Sequence, residues 1–169
     1  MTIDIPVFGS TDRLILAILR EFFAGQGIHI GTQFTEGMST PAIIAARERR
    51  SGNGEGRTPD DRFIEPAVIS INTLTSGLEA MSDGADLQEM CRVALRQAQL
   101  KQKVYPGLGH ISKIENSTAA SRTSDWATST GVVQYATLPK GVVRFESVFR
   151  LLIRPPATGS VNNRFRPLT

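Results

Sequence analysis

Cysteine, histidine and aromatic residues are scarce in this chain, and each shortage closes off a class of function. Cys91 is the single cysteine among 169 residues, which excludes an internal disulfide and any zinc site built on cysteine pairs. Its helical neighbours place it on an inward face, where a thiol is inert. The two histidines, His29 and His110, lie in unrelated segments, and neither has a second ligand at metal-like spacing. Aromatic residues amount to 7%, and no reading helix or ribonucleoprotein motif accompanies them, which weakens a stand-alone nucleic-acid module. No apolar run approaches the roughly 18 residues of a membrane span. The segment from Met1 to Pro6 carries an acid in place of a basic leader, so no secretory signal is read and the cytoplasm is the expected site of assembly.

Catalytic signatures are missing as well. Gly-x-Ser-x-Gly, His-Glu-x-x-His and paired cysteines do not occur, and no acid pair recurs on one helix face. The chain therefore reads as a non-enzyme with no cofactor. An enzyme assembled from distant segments would need a concave pocket holding His29 or His110 beside a carboxylate.

What the sequence does contain is the pattern of a small α+β domain. At this length one core suffices, burying roughly 70% of the surface that the unfolded chain exposes. The organising stretch is 63–74, where Val68, Ile69, Ile71 and Leu74 mark a central strand, since β-branched side chains suit a pleated, half-buried surface. Pro66 cannot donate to a ladder, so continuous pairing is expected from Ala67 onward. Ahead of it, Ser10, Thr11 and Asp12 offer cap oxygens to a helix whose Leu14, Ile15, Ile18, Leu19 and Phe22 share a face. Leu16 and Phe23 fall off that face, to be covered by the chain itself or by a neighbouring subunit. Gly25 and Gly27 close the helix. Alternation over 28–34 predicts a strand with His29 on the outer face, and the apolar run 42–47 predicts another.

Residues 51–61 are glycine-rich, polar and aperiodic, the composition of a mobile loop. A phosphate site is not read there, because no Lys-Ser or Lys-Thr and no apolar helix follows the glycines. A turn over 76–84 leads into a helix over 86–103, with Leu87, Met90, Cys91, Ala94, Leu95 and Ala98 inward and the charge order suited to its dipole. Ile111 and Ile114 suggest an irregular strand over 110–116. The Ser/Thr/Ala stretch 117–131 holds Trp126, which serves either the core or an interface. Strands over 132–137 and 142–153 flank a Pro-Lys-Gly turn. The prediction is one domain over 1–155, with a mixed or antiparallel sheet carrying two main helices, followed by a flexible arm over 156–169.

The net charge is only +3, and much of the positive charge is local. Arg47, Arg49 and Arg50 cluster, and Arg144, Arg150, Arg154, Arg164 and Arg166 are opposed after Val142 only by Glu146. Such residues suit a solvated surface or contact with an acidic partner or phosphate.

The order of elements and the wording of several segments carry a resemblance. These are Thr11-Asp12-Arg13 at the first helix, Ile30-Gly31-Thr32, Pro41-Ala42-Ile43-Ile44, Ala67-Val68-Ile69-Ser70-Ile71, the helix from Asp86, and Val148 to Arg154. Up to about Pro155 the chain resembles the tail terminator, or tail-completion, proteins of long-tailed bacteriophages, in particular those of actinobacterial phages. The resemblance implies a virion structural protein that forms a hexameric ring on the tail tube, stops its growth and joins the tail to head-closure or connector proteins, with genomic DNA passing through the lumen. It also implies heterologous subunit contacts, for which Leu16, Phe23 and Trp126, together with Arg47, Arg49, Arg50, Arg57, Arg154, Arg164 and Arg166, are the interface candidates. A head-closure or neck adaptor of the same virion is the competing reading.

Overall fold

A computed structural model describes residues 11–35, 37–47, 64–123 and 140–156. It is a single α+β domain, one mixed sheet with two helices on it. The elements are α1 (Thr11–Phe22), β1 (His29–Gly31), β2 (Ala42–Arg47), β3 (Glu65–Ser76), α2 (Ala80–Leu100), β4 (His110–Ser117), β5 (Ser121–Arg122) and β6 (Val142–Arg154). The sheet order is β1-β2-β3-β6-β4, with β5 also on β6. Among the described strands only the β1–β2 pair is parallel.

α1 forms as its pattern requires, with Leu14, Ile15, Ile18 and Leu19 at most 3% exposed. Leu16 and Phe23 are buried too, in the same cluster, so the chain covers the second side of this helix itself. The helix ends where Gly25 takes a φ of 80°, a conformation that costs glycine nothing. β1 is shorter than the alternation predicts. Ile28 and Ile30 pack toward the helices, whereas Phe34 joins Ala42, Ile44 and Leu74 in a separate cluster. Residues of equal parity on one straight strand share a face, so the chain must leave the strand after Gly31 to bring Phe34 to the other side.

β2 and β3 are buried on both faces, which explains their continuous apolar runs. Ile43, Ala45, Ala67, Ile69 and Ile71 meet the helices, while Ala42, Ile44 and Leu74 form the second cluster with Phe34. Pairing reaches further along β3 than expected, because Glu65 and Pro66 stand opposite Ile153 and Leu152. The β2 ladder ends at Ile69, so at Pro66 the described strand has a neighbour on one side only, where a missing N–H is tolerated.

α2 departs most from expectation. It starts at Ala80 rather than Asp86 and ends at Leu100, which leaves Lys101 and Lys103 beyond it. Two hydroxyls hold its first turns to the sheet, Thr75 Oγ1 donating to Ala80 O at 2.6 Å and Thr73 Oγ1 to Gly84 O at 3.1 Å. Gly84 is there for space, since a Cβ would lie 2.7 Å from the Phe145 ring and 2.9 Å from Thr75 Oγ1. The buried face is also rotated. Leu87, Cys91, Ala94, Leu95 and Ala98 are inside as predicted, but Met90 is 36% exposed and Gln88 takes the inner position at 2%. The Gln88 amide is satisfied, because Nε2 donates to Ile71 O at 2.8 Å and Phe145 O at 3.0 Å while Oε1 accepts from Ser147 Oγ at 2.6 Å. A buried amide with its hydrogen bonds made costs little.

β4 carries the expected irregularity, with register shifts between Ile111 and Lys113 and between Ile114 and Asn116. Past it, Thr118 N donates to Val148 O at 2.9 Å and Thr123 N to Arg144 O at 3.1 Å. β4, this link and β5 thus make one interrupted edge along most of β6. Expectations for 51–61, 132–137, Trp126, Arg49, Arg50, Arg57, Arg164, Arg166 and the arm after Pro156 concern positions outside the described residues.

Candidate interaction surfaces

The sheet face away from the helices carries a closed circuit of polar side chains across β3 and β6. Arg144 Nε donates to Asn72 Oδ1 at 2.7 Å. Asn72 Nδ2 donates to Ser70 Oγ at 3.0 Å, and Ser70 Oγ to Glu146 Oε1 at 2.7 Å. Glu146 Oε2 returns to Arg144 Nη2 at 3.5 Å. Ser70, Asn72 and Arg144 are at most 2% exposed, so the guanidinium is held away from water with a carboxylate beside it, the arrangement that makes a buried cation tolerable. Alternation places these groups together: positions 70 and 72 share a face of β3, 144 and 146 share a face of β6, and Asn72 stands opposite Glu146.

A groove of about 310 Å³ opens where the first turns of α2 meet the ends of β2 and β3. Ile28, Pro41, Leu87 and Met90 give it apolar lining, and Thr40, Ser76, Asp83 and Asp86 bring polar groups to it. The Thr40 and Ser76 hydroxyls are hydrogen-bonded to each other. Asp83 and Asp86 are exposed and have no ion-pair partner among the described residues. Beside the groove, Leu78 and Met81 project into solvent at 107% and 47% exposure. A second apolar patch, Leu100 at 68% and Val104 at 55%, lies at the far end of the same helix. A helix of 21 residues sets the two patches about 30 Å apart.

Of the ten interface candidates, four lie within the described residues, and the fold spends two of them internally. Leu16 and Phe23, at 7% and 3% exposure, leave little surface for a neighbour, because α1 lies between α2 and the β1–β2 edge. Arg47 is exposed and pairs with Glu65, Nη1 to Oε1 at 2.8 Å. Arg154 is exposed at the end of β6, where its charge acts on His110.

Neither histidine has a carboxylate partner among the described residues. His29 Nε2 contacts Ser39 Oγ at 2.8 Å, and His110 Nδ1 is buried without a hydrogen bond. Burial first, and Arg154 second, hold the His110 imidazole below its usual 6.5. Burial pushes the Cys91 thiol up to about 12, so the thiolate that reacts or binds metal is not formed near neutrality. Among the described residues no group of three or more His, Cys, Asp or Glu side chains is placed to hold a metal ion, and no helix is long and apolar enough to cross a membrane. The Glu21 carboxylate is structural: it accepts from Lys103 Nζ and, at 2.8 Å, from Tyr105 Oη, tying the end of α1 to the turn after α2.

The groove and the exposed leucines and methionines have only a weak mark in the sequence. Leu78 and Met81 sit in the segment read as a turn, and Met90 reads as core because it lies at the margin of the apolar stripe. No protein-family model matches the chain, and no match is found among curated proteins.

Proposed function

We propose that this chain is a structural ring protein of a long-tailed phage virion, a tail terminator that caps the tail tube, stops its polymerisation and offers a docking surface to the head connector. The observation that carries the reading is the pair of unlike apolar patches at opposite ends of α2, Leu78 with Met81 and Leu100 with Val104. Closed rings form through heterologous contacts, in which one patch of a subunit meets a different patch of the next. Two separated, dissimilar patches on a rigid element supply that geometry. The resemblance in element order and segment wording adds its weight, and the order α1, two strands, the long β3, α2 and the strands that end in β6 accords with it.

The ring is taken as a hexamer, with tail tube protein on one side, head-closure proteins on the other and genomic DNA passing through without sequence-specific contacts. A lumen that bound phosphate strongly would hinder that passage, and the internal pairing of Arg47 and Arg144 accords with this. The second reading is a head-side adaptor of the same virion, which uses the same kind of ring with different partners.

Electron microscopy of phage lysates carrying an early stop codon in this gene separates the two. Over-long or irregular tails beside filled, tailless heads are the expected outcome. Tails of normal length beside heads that leak or fail to join would move the protein to the head side. Intact infectious particles would overturn both readings.

A further inference from the structure

The groove beside Asp83 and Asp86 has a complement within this sequence. Residues 164–168 read Arg-Phe-Arg-Pro-Leu, a segment that alternates cations with apolar side chains. The groove offers the counterpart, since its lining joins the carboxylates of Asp83 and Asp86 to the apolar side chains of Ile28, Leu87 and Met90. Arg meets carboxylate in short, charge-assisted hydrogen bonds, often bidentate, and a methionine in the lining adapts to an aromatic or leucine side chain. The groove volume of about 310 Å³ is at the lower end of the range for small-molecule pockets, about 300–1,000 Å³, and suits one or two side chains of a peptide segment.

The position of the chain end decides whose segment it is. β6 leaves the sheet at Arg154, whereas the groove opens at the opposite end, where Ser76 stands opposite Val142. These ends of β6 are about 40 Å apart at about 3.3 Å per residue. Seven residues lie between Pro156 and Arg164, so the eight steps span at most about 29 Å of fully extended chain. Arg166 nears its own groove only with the arm drawn to its full length along the whole molecule. A neighbouring copy placed head to tail brings its Arg154 end close to this groove and needs no such extension.

We infer that the segment 164–168 of one copy docks in the Asp83–Asp86 groove of the next. The inference rests on the ring reading and deepens it by naming the contact that orders the copies in one rotational sense. Groove and arm are different parts of the chain, so head-to-tail docking joins unlike patches and closes a ring where the rotation between copies completes a turn.

The test is sedimentation of the full-length chain at moderate and high salt. Two variants reverse the charges, Asp83→Arg with Asp86→Arg, and Arg164→Asp with Arg166→Asp; Asp83→Asn with Asp86→Asn is the milder companion should the first melt early by circular dichroism. The wild-type chain is expected to associate, and each charge-reversed variant to associate at least about tenfold more weakly, a loss of about 1.4 kcal/mol. Mixing the two reversed variants in equal amounts restores association, because alternating copies then place every arm against a groove of opposite charge. Undiminished association of both variants overturns the docking and leaves the ring reading standing. Loss that mixing does not restore assigns the arm to its own groove and overturns the inference. A wild-type chain that stays monomeric at every concentration overturns the inference and the ring reading together.

Discussion

At the scale of single residues, the most consequential group is the circuit of Ser70, Asn72, Arg144 and Glu146. Arg144 donates to Asn72 and forms an ion pair with Glu146, which also accepts from Ser70, with Asn72 and Ser70 passing polarity between them. Each bond is made away from water, so deleting one relay leaves its neighbours to bear the desolvation cost. Asn72→Ala removes the acceptor that Arg144 Nε uses and is expected to cost about 1.5–3 kcal/mol, the range for hydrogen bonds to charged groups. Urea unfolding at neutral pH, read as a lower midpoint at unchanged slope, checks it. His110 carries a second prediction. The unfolded chain takes up a proton near 6.5, whereas the folded chain does so only at lower pH. Stability therefore stands at its full value above this pH and falls as the pH drops through it and down to the folded value. Unfolding midpoints at about pH 7.5 and 5.5 should differ more for the wild-type chain than for His110→Gln, with this residue's share of the slope removed in the variant. Neither role was legible in the sequence. Arg144 and Glu146 read as surface charges on a strand, since burial of a charge depends on which strand lies opposite, and the circuit joins positions more than seventy residues apart.

At the scale of elements, the sequence is most informative where one periodicity governs a whole segment. β2 was legible to the residue, and α1 closely, because their apolar positions repeat without interruption. β6 runs one residue beyond its expected end, to Arg154. α2 was misread at its start because Ser82, Asp83 and Gly84 favour turns or helix ends by local propensity, whereas the hydroxyls of Thr73 and Thr75 and the close approach to Phe145 decide the matter from β3 and β6. Gly84→Ala tests that account. On an exposed helix the exchange would stabilise by about 1 kcal/mol. Here the added methyl meets a ring and a buried hydroxyl, so the expected outcome is a loss of about 1–3 kcal/mol from overpacking, visible as a lower thermal midpoint. A rise would show that α2 rests less tightly on the sheet than these distances indicate. The groove, likewise, is a product of tertiary placement: its walls come from the ends of β2 and β3 and the first half of α2, and no local pattern announces such a meeting.

At the scale of the whole molecule, the surfaces that hold the fold differ from those proposed for association. The helix-side core contains Leu16 and Phe23, the side chains that the sequence suggested for a neighbour, and the outward large apolar groups among the described residues are instead Leu78, Met81, Met90, Leu100 and Val104. Exposed residues of this kind add little to folding, so replacing them should separate the two properties. Leu78→Lys with Met81→Lys is expected to leave the free energy of unfolding within about 0.5 kcal/mol of wild type, as for most surface changes, and to weaken self-association measured by light scattering. A large loss of stability would place these residues in the fold rather than in a contact.

The margins of the sheet bear on the same division. Among the described strands one margin is a strand of three residues, and the other is broken by two register shifts and by the link between β4 and β5. Short and irregular edges offer poor templates for backbone pairing with another chain. Copies crowded together at high concentration are thereby steered away from edge-to-edge fibrils, and any encounter between them is left to side chains, whose fit is selective.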